Sequence, residues 1–156
     1  MERNVVIFGA TGAVGSCAVA SLKTMSGPWR ITTLGRRIVP DPAGQGTTQH
    51  IVDVLNAESY RHLLAGNQAA ICTFGVGQPS KVSQAEFLKF DKDAVLTFAT
   101  ACKQAWVKHF ELLGVLGADS KSRIFYLRTK GELRDALLHW SDFTRTAVTW
   151  QQANKS

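Results

Sequence analysis

Residues Asn4 to Phe8 form a short β-branched apolar run that ends at a glycine and shows no polar alternation, which predicts a central strand buried on both faces of a parallel sheet. From Ser16 to Lys23 the apolar positions recur instead at helical spacing, until Gly27-Pro28 stops them. A second strand over Trp29 to Leu34 closes a βαβ unit, and the right-handed crossover rule makes the two strands parallel. A loop carrying Pro40, Pro42, Gly44 and Gly46 leads to a third strand, Gln49 to Val54, and a short helix, Ala57 to Leu64, that stops at Gly66-Asn67. The fourth strand is Ala69 to Phe74, followed by the loop Gly75 to Pro79. Ser83 and Glu86 fit a capping box that opens a long helix to about Trp106, with Phe87, Ala94, Phe98, Ala101 and Ala105 on one stripe. A fifth strand, Phe110 to Val115, a polar loop, a helix from about Ile124 to Trp140 and a sixth strand, Phe143 to Val148, complete the pattern. Such alternation specifies the α/β class: a doubly wound parallel sheet of about six strands with helices on both faces. No linker, repeat or low-complexity stretch divides the chain, so residues 1–150 read as one domain and 151–156 as a polar tail.

The length of 156 residues suits one domain with a sizeable core, and 45% hydrophobic against 19% charged residues excludes disorder. No apolar run reaches the ~18 residues of a membrane span. The first strand begins at Asn4, which leaves no room for a signal peptide, so a cytoplasmic location and no membrane partner are expected. Three cysteines, Cys17, Cys72 and Cys102, lack metal-ligand or disulfide spacing and read as small buried hydrophobes. His50, His62, His109 and His139 read as structural or surface residues, and the tryptophans as packing, with Trp150 a candidate contact for a second subunit or protein partner. The net charge of +6 would suit a polyanion or a phosphate-bearing cofactor. Because the basic residues are scattered singly except for Arg36-Arg37, no nucleic-acid partner is expected.

The candidate chemistry begins where the first strand ends. Gly9, Gly12 and Gly15 stand three apart in a segment that also holds Thr11, Ala13 and Val14. Gly9 permits a sharp turn, Gly12 lets backbone approach a pyrophosphate, and Gly15 lets the helix pack on the strand. The helix's free amides then supply anion-binding donors. After the second strand, a dinucleotide site with an acid would take the adenosine ribose, and one with arginine a 2′-phosphate; here Arg36 and Arg37 follow Gly35, which favours NADP(H) over NAD(H). Asp53 and Val54 are placed to contact the adenine, with a turn or cap as the other role for Asp53. Tyr126 and Lys130 lie four apart on one helix face. A cation beside the phenol, together with an oxidised nicotinamide, would lower its pKa and let Tyr126 pass a proton to a carbonyl oxygen as hydride arrives.

Taken together, Gly9 to Gly15, Leu34 to Arg37, Phe90-Asp91-Lys92-Asp93, His109 to Leu113, Gly117-Ala118-Asp119 and Tyr126 to Lys130 with Gly131-Glu132 resemble the atypical, extended-type short-chain dehydrogenase/reductases, in particular their Tat-interacting-protein-like and NmrA-like branch. The likeness runs from Val5 to about Leu138. It implies a Rossmann domain holding NADPH, with Lys130 on the nicotinamide ribose, Tyr126 as proton donor, and Thr73, Phe74 and Gly75 in the stretch that lines the cofactor. Two features depart from the family pattern. Where relatives carry Ser or Thr at the end of the fifth strand, this chain reads Leu113-Gly114-Val115, which leaves Ser120 or Ser122 as substitutes. The usual Arg-Pro-Gly turn and substrate segment after the sixth strand are not matched either, so a shortened or altered end is expected. The expected function is an oxidoreductase reducing a small carbonyl compound with NADP(H), of weak activity. The alternative is an NADPH-sensing module that acts on a protein partner, and a third reading is a cofactor-binding core without a task of its own.

Overall fold

The computed structural model describes residues 2–27, 29–38, 46–139 and 145–151, the last segment as backbone only. Six strands, β1 (Arg3–Phe8), β2 (Trp29–Gly35), β3 (Thr47–Ile51), β4 (Ala69–Cys72), β5 (His109–Val115) and β6 (Arg145–Gln151), form one sheet in the order β3-β2-β1-β4-β5-β6. Every pairing is parallel, and β1 and β4 run side by side with Val5 opposite Ala69 and Phe8 opposite Cys72. Strand order reverses between these two, the place where doubly wound sheets leave a crevice for ligands.

β1 explains why the sheet is covered twice. Val6 and Phe8 face one core, with Leu34, Tyr60, Phe98 and Leu133, whereas Val5 and Ile7 face another, with Ala10, Ile31 and the side chains of Val19 and Leu22. The second face is closed by α1 (Ala13–Thr24) and the first by α3 (Ala94–Gln104) and α4 (Phe125–Leu138). Phe8 stacks on Phe98 with ring centres 4.4 Å apart and 8° between planes.

Several elements differ from the sequence pattern for local reasons. The long helix is not uniform: α2 (Gln84–Leu88) passes through a π-helical turn, Lys89–Asp93, before α3 continues it. Its start is as expected, with the Ser83 hydroxyl accepting the Glu86 N–H at 3.1 Å. The stretch 57–64 forms two 3₁₀ turns, Ala57–Ser59, whose first turn Asn56 caps by accepting the Glu58 N–H, and Arg61–Leu63, because Tyr60 between them has a non-helical φ of −141°. β3 ends at Ile51 rather than Val54, since the Asp53 carboxylate accepts the Leu55 N–H and bends the chain. β6 runs later than Phe143 to Val148 and includes Gln151; Phe143, Trp140, Pro28, Pro40, Pro42, Gly44 and the tail 152–156 lie outside the described residues.

Two packing expectations are corrected. Cys17 is exposed on α1, although Cys72 and Cys102 are buried and all three are free thiols. Trp106 is 87% exposed and adopts φ +62°, the left-handed conformation that ends α3, so it packs on nothing substantial. No helix among the described residues is long and apolar enough to cross a membrane.

Candidate functional site

At the carboxyl ends of β1, β4 and β5 lies a cleft of about 310 Å³. Gly12 to Gly15 form one wall, Thr73 to Gly77 and Pro79 the loop side, and Leu113 to Val115 the floor from β5, with Asp91, Tyr126 and Lys130 opposite. Sequence reading placed Gly12, Ala13, Val14, Gly15, Thr73, Phe74, Gly75, Tyr126 and Lys130 here, and the fold brings all nine to one cleft.

The three turn glycines have different physical reasons to be glycine. Gly9 has φ +95°, and a Cβ on it would lie 2.6 Å from the Phe74 nitrogen. A Cβ at Gly15 would lie 2.3 Å from the Gly9 carbonyl oxygen, so the first turn of α1 can sit on the strand end only without one. Gly12 has neither constraint: its backbone is extended, and a Cβ would meet nothing nearer than the Gly9 oxygen at 3.7 Å. The protein itself leaves room for a side chain at Gly12, yet the position faces the cleft bare. Beside it the amino end of α1 has no side-chain cap and no acid in its first turn. Free amides and the positive end of the helix dipole therefore face the cleft, which fits the pyrophosphate of a dinucleotide. Thr73 serves the turn itself, its hydroxyl donating to the Gly9 oxygen at 2.9 Å.

The residues expected to meet the adenosine are less regularly placed. The Arg36 guanidinium lies 4.9 Å above the Phe90 ring and 5.6 Å from that of Phe74, and the residue is exposed. Arg37 is exposed beside it, and Thr11 is half-buried in the turn. Val54 is 3% exposed and sunk in the core, so its side chain does not present to an adenine, and the Asp53 carboxylate makes the turn that was its other reading.

The Tyr126–Lys130 end of the cleft holds a residue to which the sequence pattern assigns no role. The Asp91 carboxylate, on the π-helical turn, accepts from the Lys130 ammonium at 2.6 Å and from the Val76 N–H at 2.8 Å. Both side chains are largely out of solvent, Lys130 at 12% and Asp91 at 3% exposure. The signal was present: Asp91 stands four residues after Phe87 and three before Ala94, an acid on an otherwise apolar stripe. Tyr126 packs on Phe87 with ring centres 5.4 Å apart. Without a cofactor its pKa is raised, first by burial and then by the Asp91 charge; the lowering expected from sequence supposes an oxidised nicotinamide bound beside it. Gly114 lines the floor with no hydroxyl to offer. Neither suggested substitute reaches the cleft wall: Ser120 donates to the Asp135 carboxylate at 2.6 Å, and Ser122 accepts the Ile124 N–H.

Comparison with known proteins agrees with this geometry. The family described as NAD(P)H-binding matches residues 9–150. Rat Protein HTATIP2 is 30% identical over 94% of this chain and 61% of its own length. The mitochondrial protein FMP52 of Meyerozyma guilliermondii is 31% identical over 92% of this chain and likewise 61% of its own. This chain thus spans about three fifths of the curated relatives it matches. Among solved structures, the Lactococcus lactis oxidoreductase ylbE superposes with a TM-score of 0.76 at 23% identity, covering 94% of this chain and 67% of that one. MoeE5 in complex with UDP-glucuronic acid and NAD gives 0.72 at 24%, covering 94% and 53%.

Proposed function

The chain belongs to the NAD(P)H-binding family, and on that premise we propose that it holds NADP(H) in the cleft at the β1/β4 crevice and acts as a slow reductase of a small carbonyl compound. The observation that carries this reading is the convergence on one cleft of an uncapped helix end, the bare Gly12, and the Tyr126–Lys130 pair. Arg36 and Arg37, with no acid beside them, support the phosphorylated cofactor, since each guanidinium can make charge-assisted bonds to a 2′-phosphate. The family and the NAD-bound relative support a nicotinamide cofactor of either kind.

When bound, a reduced nicotinamide supplies the hydride to a carbonyl carbon. Negative charge then grows on the carbonyl oxygen, and the Tyr126 phenol, kept protonated by burial and by Asp91, gives its proton there. Lys130, one helical turn on, is the residue that the resemblance assigns to the nicotinamide ribose. Gly114 gives no second donor to the oxygen, and one lost preorganised donor typically costs ~10² to 10³ in kcat, hence a slow enzyme. The same bare Gly114 favours the second reading, a module that binds NADPH and acts through a protein partner or a second copy. Free thiols fit a reducing compartment, and the cytoplasm is the location we propose, although the fungal relatives are named mitochondrial.

The test is calorimetric titration with NADPH and NADH, followed by NADPH oxidation over a panel of aldehydes and quinones. Binding of NADPH with slow, Tyr126-dependent turnover is expected. No binding of either cofactor would sink both readings, and binding without turnover would leave the regulatory one.

A further inference from the structure

We infer that Asp91 is a positioning residue, whose carboxylate fixes the Lys130 ammonium against the loop beyond β4 and sets the charge that Tyr126 faces. This inference rests on the reading of Tyr126 as proton donor and names what controls it. The carboxylate uses both oxygens, one for Lys130 at 2.6 Å and the other for the Val76 N–H at 2.8 Å. Two elements distant in sequence, the cleft loop and α4, are thus tied through one group on the π-helical turn. The approach depends on Gly75, where a Cβ would lie 2.7 Å from the same oxygen that holds Lys130.

Stability alone is a poor reason for this arrangement. Taking two charges out of water costs about what their attraction returns, and an apolar pair of similar volume often serves packing as well or better. A charge pair at the wall of the cleft, by contrast, governs where the neighbouring phenol's proton sits. Tyr126 faces Asp91 from the π-helical turn and has Lys130 on its own helix. Phe87 from α2, Leu113 to Val115 from β5 and Pro79 from the loop bring no charge. The Cys72 thiol at the end of β4 is pushed up to about 12 by burial and is therefore neutral beside the pair. Lys92 and Glu132 are paired with each other at 2.6 Å. Among the residues that line the cleft, the ion pair therefore supplies the charge beside Tyr126.

The sign follows. Asp91→Asn keeps an acceptor for the Val76 N–H but removes the negative charge, so the phenol should ionise at lower pH. Lys130→Gln leaves the Asp91 charge uncompensated, so the phenol should ionise at higher pH. The chain has two tyrosines, which makes this measurable by phenolate absorbance in the cofactor-free protein. Tyr60 is fully buried and its phenol is raised far more strongly, so the lower step belongs to Tyr126, and Tyr126→Phe assigns it by its disappearance.

Opposite displacements in Asp91→Asn and Lys130→Gln, with Asp91→Glu returning towards wild type, are expected. A pair that serves only packing would loosen the site in either variant and draw both midpoints the same way, towards an ordinary exposed phenol, and that result would overturn the inference, as would an unmoved midpoint in Asp91→Asn. Should Asp91→Asn fail to fold, the Lys130→Gln displacement decides, upward in support and downward against. NADPH calorimetry on the wild type separates the two levels: absent binding removes the proposed function, while the titration still decides what Asp91 does to Tyr126.

Discussion

The glycine turn and the reacting end face each other across one cleft but are built by opposite means. At the turn, backbone meets backbone: Gly9 and Gly15 are glycines because other atoms already occupy the Cβ space, and Gly12 is the bare position between them. At the reacting end side chains from two elements meet, Asp91 from the π-helical turn and Lys130 and Tyr126 from α4, above the bare Gly114 of β5. Steric demand thus fixes the first region, and a balance of charge and burial fixes the second. Substitutions in the turn should give all-or-none results, and those at the reacting end graded ones.

The sharpest break of this comparison lies within the turn itself. Gly15→Val should cost several kcal/mol of stability, because overpacking typically costs ~1 to 3 kcal/mol and here the new Cβ would press on backbone that cannot rotate away. Gly12→Val should melt within about 0.5 kcal/mol of wild type yet bind no NADPH, its side chain filling the space a pyrophosphate needs. Thermal melts beside calorimetry check both, and a Gly12→Val variant that binds as wild type does would show that the turn is structural only.

Next in size is Gly114→Ser, which restores a hydroxyl to the floor of the cleft. If the oxygen lacks one donor, kcat over a carbonyl panel should rise by up to ~10² to 10³, and Tyr126→Phe should abolish the gain. An unchanged rate would mean that the missing hydroxyl does not limit this site and would strengthen the regulatory reading.

The same contrast explains what could be read from sequence. A strand-turn-helix unit such as Val5 to Lys23 is written in local order, so the parallel sheet and the glycine turn follow from short-range pattern and the crossover rules, whereas the strand order comes from the structure. In sequence Asp91 is legible only as part of a motif, because its partners, Lys130 and Val76, lie 39 and 15 residues away, and no periodicity reveals an ion pair across elements. The π-helical turn is not legible for a related reason: the expected stripe has only Phe87 before Lys89–Asp93 and resumes at Ala94 after it, too little to show a change of phase. Trp106 and Cys17 were assigned by residue type, and type is a weak guide where a helix ends or turns a face to solvent.

At the adenosine end the expected effect is smaller. Arg36→Ala with Arg37→Ala should lower NADPH affinity at least tenfold while leaving NADH affinity nearly unchanged, the loss of charge-assisted bonds worth ~1.5 to 3 kcal/mol. Equal affinities for the two cofactors in wild type would remove the assignment of NADP(H).

The smallest effect tests whether the two ends are as separate as their construction suggests. Phe90 and Asp91 are consecutive residues of the π-helical turn, yet Phe90 lies 4.9 Å beneath the Arg36 guanidinium while Asp91 holds Lys130. One short segment therefore seats two cations, Lys130 in the cleft and Arg36 beside Phe74, which lines it. A cation–π contact at a partly exposed site is worth ~0.5 to 1 kcal/mol, so Phe90→Leu, which keeps apolar bulk but removes the ring, should weaken NADPH about two- to fivefold. NADH affinity should not follow, because only the phosphate depends on where Arg36 points. The Tyr126 titration should also stay in place, since leucine can fill the seat without moving Asp91. A Phe90→Leu variant in which the Tyr126 midpoint moves together with the NADPH affinity would show that the π-helical turn responds as one rigid unit, and that the two ends of the cleft are coupled through it.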